Sequence, residues 1–377
     1  MKILILFEYA NHYQTIDNLC NNLNKKGLEA SSFNVAYWRF RNRLTKRVPL
    51  WIRIVSLLAK IPGVRGFLTS VFRYKALLGL ADNYDIIDIH FFSPMYDKLI
   101  LELKRRGKGV KITVWGHDLY MVDQNRREQQ RRLYKVVDII QTETQEIAND
   151  FLEVYPECEA RMRVAHFGII QFDIIDELML NGNVEVYKKE LGIPLDKIII
   201  TCGTNRSAGH QHLKMLDGIE HLVPELKEQL FLIIPMTYGG EKSYIQAVRQ
   251  KVESIGIPHL ILTSFLTLHD LSKLRMVSGL TITIQDSDAL ASAIQEYLYA
   301  GGILIAGNWL PYHALTERGI FFLRTSLEAL SLTLTDSLNN YQSYRDKCNA
   351  NREKLAEFSS WNNVIHSWLR VYDDIKI

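Results

Sequence analysis

Asp288 and Glu296 stand with seven residues between them in the segment Asp288-Ala-Leu-Ala-Ser-Ala-Ile-Gln-Glu296. A strand ending near Gln285, a cap at Ser287 or Asp288 and a run continuing to Tyr299 predict one helix carrying both acids. Gly301-Gly302 stops it before another apolar strand. Asp288 then sits at the helix mouth, Glu296 two turns along, and Ser292 between them. Carboxylates so placed accept hydrogen bonds from sugar and ribose hydroxyls, and the N–H groups of a helix start suit a diphosphate. A capped amphipathic helix with no ligand fits the same spacing, so on the residues alone both readings stand.

Further candidates fall where strands should end. The loop Gly203-Thr-Asn-Arg-Ser-Ala-Gly-His-Gln-His212 follows a strand; Arg206 is its strong cation and His212 opens the next helix. Tyr238 and Gly239 belong to a glycine turn after the following strand. In the first half, His117 and Asp118 follow a strand in Val114-Trp-Gly-His-Asp118. Asn11, His12 and Tyr13 lie at the end of the first strand, an edge where α/β crevices bind ligands. A solvated loop charge accounts for Arg206 equally well, and a packed ring for His212. That first loop has no glycine, which removes the GxGxxG dinucleotide fingerprint, and the P-loop, HExxH and GxSxG patterns are absent too. Cys20, Cys158, Cys202 and Cys348 show no CxxC spacing, which argues against a zinc site and a disulfide framework and fits a reducing compartment.

Two α/β units are needed to position these groups. A chain of 377 residues is long for one core. With 47% apolar and 23% charged residues it is an ordinary globular composition, and a net charge of +3 does not by itself call for nucleic acid. Strands are predicted at Lys2–Phe7, Ile86–Phe92, Lys111–Trp115 and Ile139–Thr142, with a helix over Tyr13–Lys26. The pattern restarts with Lys197–Cys202, Leu230–Ile234, Leu260–Thr263, Leu280–Ile284 and Ile303–Ala306. Helices over Gln211–Leu222 and Lys242–Ser254 intervene, and the boundary lies within 169–190. Near the end, Trp361, Val364, Ile365, Trp368, Leu369 and Tyr372 line one face of a helix capped at Ser359-Ser360. That stripe packs either on its own unit or back on the first.

The acidic segment, its small-residue turn and the strand beyond resemble the donor-site motif of family 4 retaining glycosyltransferases, with Asp288 in place of the usual Glu and Ile303 in place of the usual Pro. Leu232-Ile-Ile-Pro-Met-Thr-Tyr-Gly-Gly-Glu-Lys-Ser-Tyr244 is similar to the Fuc4NAc transferases of surface-polysaccharide synthesis. Val114–Asp118 resembles the family's WG-S-D turn, with Trp115 where other members have a His, and Ala165-His-Phe-Gly168 resembles the turn closing the first domain. The resemblance implies a GT-B fold of α/β class: two Rossmann-like domains facing a cleft, with a C-terminal helix crossing back to the first. The expected domains are an acceptor-binding one over 1–170 with 360–377, and a nucleotide-sugar-binding one over 171–359. It further implies that Glu296 binds the nucleotide ribose and that Asp288 contacts the transferred sugar. Gly203, Arg206, His212, Tyr238, Gly239 and Ser292 complete the donor set, although Gly203 and Ala208 stand where the family has its Arg and Lys. His117 and Asp118 line the catalytic side, and Asn11, His12 and Tyr13 the acceptor side. No metal or resident cofactor is expected; a UDP-, dTDP- or GDP-linked sugar is the substrate.

From Glu29 to Asp82 there is no intervening acid, while Arg39, Arg41, Arg43, Lys46, Arg47, Arg53, Lys60, Arg65, Arg73 and Lys75 alternate with Trp38, Phe40, Trp51 and Phe67. Such a mixture fits an anionic membrane surface, each cation contributing on the order of 1 kcal/mol. No RNA-binding signature accompanies it, and a solvated basic face is the plainer account. No run is long enough to span a bilayer. The expectation is a cytoplasmic glycosyltransferase, peripheral at the inner face of the membrane, acting on a lipid-linked or saccharide acceptor in bacterial surface polysaccharide synthesis. The alternatives are a GT-B sugar-nucleotide 2-epimerase and a non-catalytic nucleotide-sugar-binding partner subunit.

Overall fold

A computed structural model describes residues 1–8, 13–35, 74–288 and 290–375, the side chains of Tyr13, Gln14 and His117 excepted. Most of the basic stretch, from Arg39 to Arg73, lies outside the described residues. The chain forms two compact units, 1–168 with 364–377, and 169–363.

In the first unit, β1 (Lys2–Phe7), β2 (Glu29–Asn34), β3 (Ile86–His90), β4 (Gly109–Thr113), β5 (Ile139–Thr142) and β6 (Met162–Val164) form a parallel sheet. Its order among the described residues is β2-β1-β3-β4-β5-β6. Side chains Ile3 to Phe7 are all buried, as a strand covered on both faces requires. From Val364 onward, the helix Trp361–Asp373 belongs to this unit. Trp368 donates its indole N–H to the His166 carbonyl at 2.8 Å, and Tyr372 its hydroxyl to Asp88 at 2.7 Å.

In the second unit, β7 (Ile198–Cys202), β8 (Leu230–Pro235), β9 (His259–Leu262), β10 (Leu280–Thr283), β11 (Ile303–Gly307) and β12 (Leu323–Thr325) are parallel in the order β12-β11-β10-β7-β8-β9. Alternation along each strand divides the core. Ile200 and Cys202 join Leu232, Ile234, Ile282 and Ile305 on one face, while Ile199 joins Ile233 and Leu304 on the other. Each such side chain contributes roughly 1.5–3 kcal/mol on full burial. Strand order reverses at β7: β8 and β9 extend to one side, β10 to β12 to the other. At such a switch point the loops beyond the carboxyl ends of the strands diverge and leave a crevice for ligands. No helix among the described residues is long and apolar enough to cross a membrane.

Candidate functional site

Three loops meet beyond β7, β8 and β10. In the β7 loop, Gly203 has φ +69°, and a Cβ there would lie 2.8 Å from the His212 Nε2, so both the backbone and the packing call for glycine. The Arg206 N–H donates to the Tyr238 carbonyl at 2.7 Å, and its guanidinium rests on the Met236 and Gly240 carbonyls at 3.4 Å. Asn205 accepts from the Ser207 N–H at 2.8 Å and folds the loop on itself. Gln211, at φ +60°, donates to the Ile284 carbonyl at 2.6 Å, and the Asp286 N–H donates to Gly209 at 2.8 Å, which ties the β7 and β10 loops together. Arg206, Gly203, His212, Tyr238 and Gly239, drawn from two separate sequence segments, are thus brought into one cluster.

His210 and His212 are buried in this cluster. Burial pushes the His210 imidazole down to about 4 against the pull of Asp286. Burial, helped by His210, pushes His212 down to about 3. Both rings are neutral near pH 7.

The acidic segment differs from expectation at its start. The helix runs Ser292–Tyr299, not from Ser287 or Asp288. Leu290 takes φ +60°, a left-handed conformation that a helix cannot contain. Asp288 therefore belongs to a loop. Its carboxylate accepts from the Ala291 N–H at 3.0 Å and from the Tyr312 hydroxyl at 2.6 Å. Ser292 is the exposed first residue of the helix. Glu296 is buried, and its Oε2 accepts from the Nε of Arg275 at 2.9 Å. Arg275, Tyr312 and Asn205 were not expected from the sequence, and for Arg275 no signal could have found it: its partner is 21 positions away on another helix.

In the first unit, Phe91 at φ +62° ends β3 and stacks on Trp115, ring centroids 4.5 Å apart. Asp118 was expected to line a catalytic surface. Its two oxygens accept from backbone, Oδ2 from the Phe92 N–H at 3.1 Å and Oδ1 from the Trp115 N–H at 2.9 Å, so it pins two strand-end loops together. Behind them lies a polar network. Asp88 accepts from Lys111 at 2.7 Å, His90 at 3.1 Å, Thr113 at 3.0 Å and Tyr372. The Trp115 indole donates to the His90 Nδ1 at 3.1 Å. An indole N–H can only donate, so Nδ1 accepts and the proton of His90 sits on Nε2, facing Asp88. Burial keeps this ring neutral despite Asp88. Asn11, His12 and the side chains of Tyr13 and His117 lie outside the described residues.

No family model and no curated protein matches the chain. Solved structures do, over nearly full length. HepE of Anabaena, solved with UDP and glucose, superposes with a TM-score of 0.76 at 13% identity, each chain covered completely. The same protein has been solved with UDP-glucose. Sucrose-phosphate synthase from Thermosynechococcus elongatus gives 0.76 at 12% identity, covering 99% of this chain and 98% of that one. A glycosyltransferase from Rickettsia africae gives 0.73 at 14%, with the same coverage. At these identities the likeness establishes the fold: the chain has the two-domain α/β architecture of GT-B.

Proposed function

We propose that this chain transfers a sugar from a nucleotide-sugar donor to an acceptor hydroxyl. The observation that carries it is the end-to-end likeness to a fold solved with UDP, glucose and UDP-glucose. In this reading the donor occupies the loop cluster of the second unit. Glu296 accepts from the ribose, Arg206 with Gly203 and His212 flanks the diphosphate, and Tyr238 and Gly239 bound the same space. Asp288, fixed by Tyr312, orients the sugar. Asp118 is a positioning residue holding the loops after β3 and β4, the second of which leads into His117, and Asn11, His12 and Tyr13 are assigned to the acceptor side from the sequence.

The family 4 resemblance of the acidic segment favours transfer with retention. The bond from the anomeric carbon to the diphosphate breaks, the bond to the acceptor oxygen forms on the same face, and the acceptor proton passes to the leaving diphosphate. No protein nucleophile is needed; positioning and charge stabilisation supply the catalysis. The basic aromatic stretch between Glu29 and Asp82 favours a lipid-linked acceptor at an anionic membrane, as in surface polysaccharide synthesis.

Pure protein is incubated with UDP-, dTDP- and GDP-sugars, with and without lipid-linked acceptor, and free nucleotide is measured. Acceptor-dependent release is expected, and Glu296→Gln should raise the donor KM about tenfold or more. Gln is the informative change, because Glu296→Ala would strand a buried Arg275. A product that keeps its nucleotide would identify an isomerase and sink the proposal.

A further inference from the structure

The Arg275–Glu296 pair is built unlike one that only stabilises a fold. Both residues are buried, at 4% and 1% exposure, yet the contact is one-sided. The Nε of Arg275 meets Oε2 of Glu296 alone, while its Nη1 turns to the Tyr297 hydroxyl and its guanidinium lies 4.1 Å from the centre of that ring. The strongest arginine–carboxylate geometry is a fork that engages both oxygens. Here Oε1 is not taken by the arginine, and among the described residues Arg275 is the one side chain hydrogen-bonded to this carboxylate. The pair lies close enough to Tyr238, on the β8 loop, for that hydroxyl to feel both charges.

We propose that Arg275 is a positioning residue that makes the site selective for ribonucleotides over deoxyribonucleotides; this rests on Glu296 facing the ribose, as proposed above. Arg275 fixes Oε2 of Glu296, and Tyr297 fixes Arg275 from behind. Oε1 is then held as an acceptor for a sugar hydroxyl. A ribose satisfies it with its vicinal hydroxyls. A 2′-deoxyribose removes one of those donors and leaves a desolvated acceptor short of a partner, the kind of mismatch that discriminates strongly. Of the three donor classes, UDP- and GDP-sugars fit and dTDP-sugars do not.

The test is calorimetric titration of the full chain with UDP, 2′-deoxy-UDP, GDP and 2′-deoxy-GDP. Wild type should bind at least one ribonucleotide about tenfold or more tightly than its deoxy form. Arg275→Lys keeps a charge but replaces the planar fork with a flexible ammonium, and should cut that ratio at least threefold. Arg275→Met should bring it near one. General loss of stability lowers both affinities together and leaves the ratio alone. A ratio that survives Arg275→Lys overturns the proposal, whether or not Arg275→Met folds. If Glu296→Gln collapses the ratio in that case, the ribose reading of Glu296 still holds. A wild-type ratio of one, or no binding of any of the four, overturns both.

Discussion

Replacing Lys111 by methionine should destabilise the first unit by about 3–5 kcal/mol, the range for breaking a buried ion pair from one side. Lys111 and Asp88 are both fully buried. The ammonium donates to Asp88 at 2.7 Å and to Thr113 at 2.6 Å, and lies 4.7 Å from the Trp368 ring centre. Burial pushes the Asp88 carboxyl up, but Lys111 and then His90 outweigh it and hold it well below the usual carboxylate range. Methionine fills much of the lysine stem but leaves the charge on Asp88 facing only the neutral donors His90, Thr113 and Tyr372. Adding Asp88→Asn removes that charge, keeps an acceptor oxygen and should recover on the order of 1–3 kcal/mol. Scanning calorimetry separates the two units, each kcal/mol corresponding to roughly 2–4 °C. Trp115 and Trp368 report the same transition by fluorescence. A single variant within about 1 kcal/mol of wild type would refute the reasoning, as would a double variant no more stable than Lys111→Met.

Acid should weaken the second unit earlier than its carboxylates require. His210 and His212 titrate near 6.5 when unfolded but at about 4 and about 3 when folded. The unfolded chain therefore binds more protons as pH falls from 6.5, and stability falls by about 1.4 kcal/mol per pH unit for each ring until the folded values are reached. Urea midpoints measured from pH 7 to pH 4.5 should show this slope, and His212→Gln should flatten it; an unchanged slope in that variant removes the assignment. Tyr312→Phe deletes the 2.6 Å hydrogen bond to Asp288. It should raise the KM for the donor sugar several-fold while leaving the Kd of the free nucleoside diphosphate within about twofold, since Asp288 is assigned to the sugar and not the nucleotide. Equal losses in both would place Asp288 elsewhere.

The central strands were legible because burial on both faces demands a continuous apolar run, as in Ile3–Phe7 or Leu230–Ile234. The strands missed are β2, β6 and β12, all at sheet edges. Glu29–Asn34, Met162–Val164 and Leu323–Thr325 are partly exposed and need no such run. The acidic segment was legible as a spacing but not in its conformation, since nothing in Ala-Leu-Ala announces that Leu290 turns left-handed. Least visible was the network around Asp88. Asp88, Lys111 and Tyr372 read as ordinary polar residues in their own segments, and they acquire meaning only when β3, β4 and the last helix bring them together.

That last helix also fixes the order in which the molecule can be completed. On the ribosome, β1 to β6 emerge before any of β7 to β12, and domains made first generally fold first. Here the earlier unit lacks Trp368, Val371 and Tyr372 until the whole of the later one has been synthesised. Throughout that interval the nascent first unit holds Asp88 and Lys111 under an uncovered apolar face. The unit that is made first is the one that finishes last.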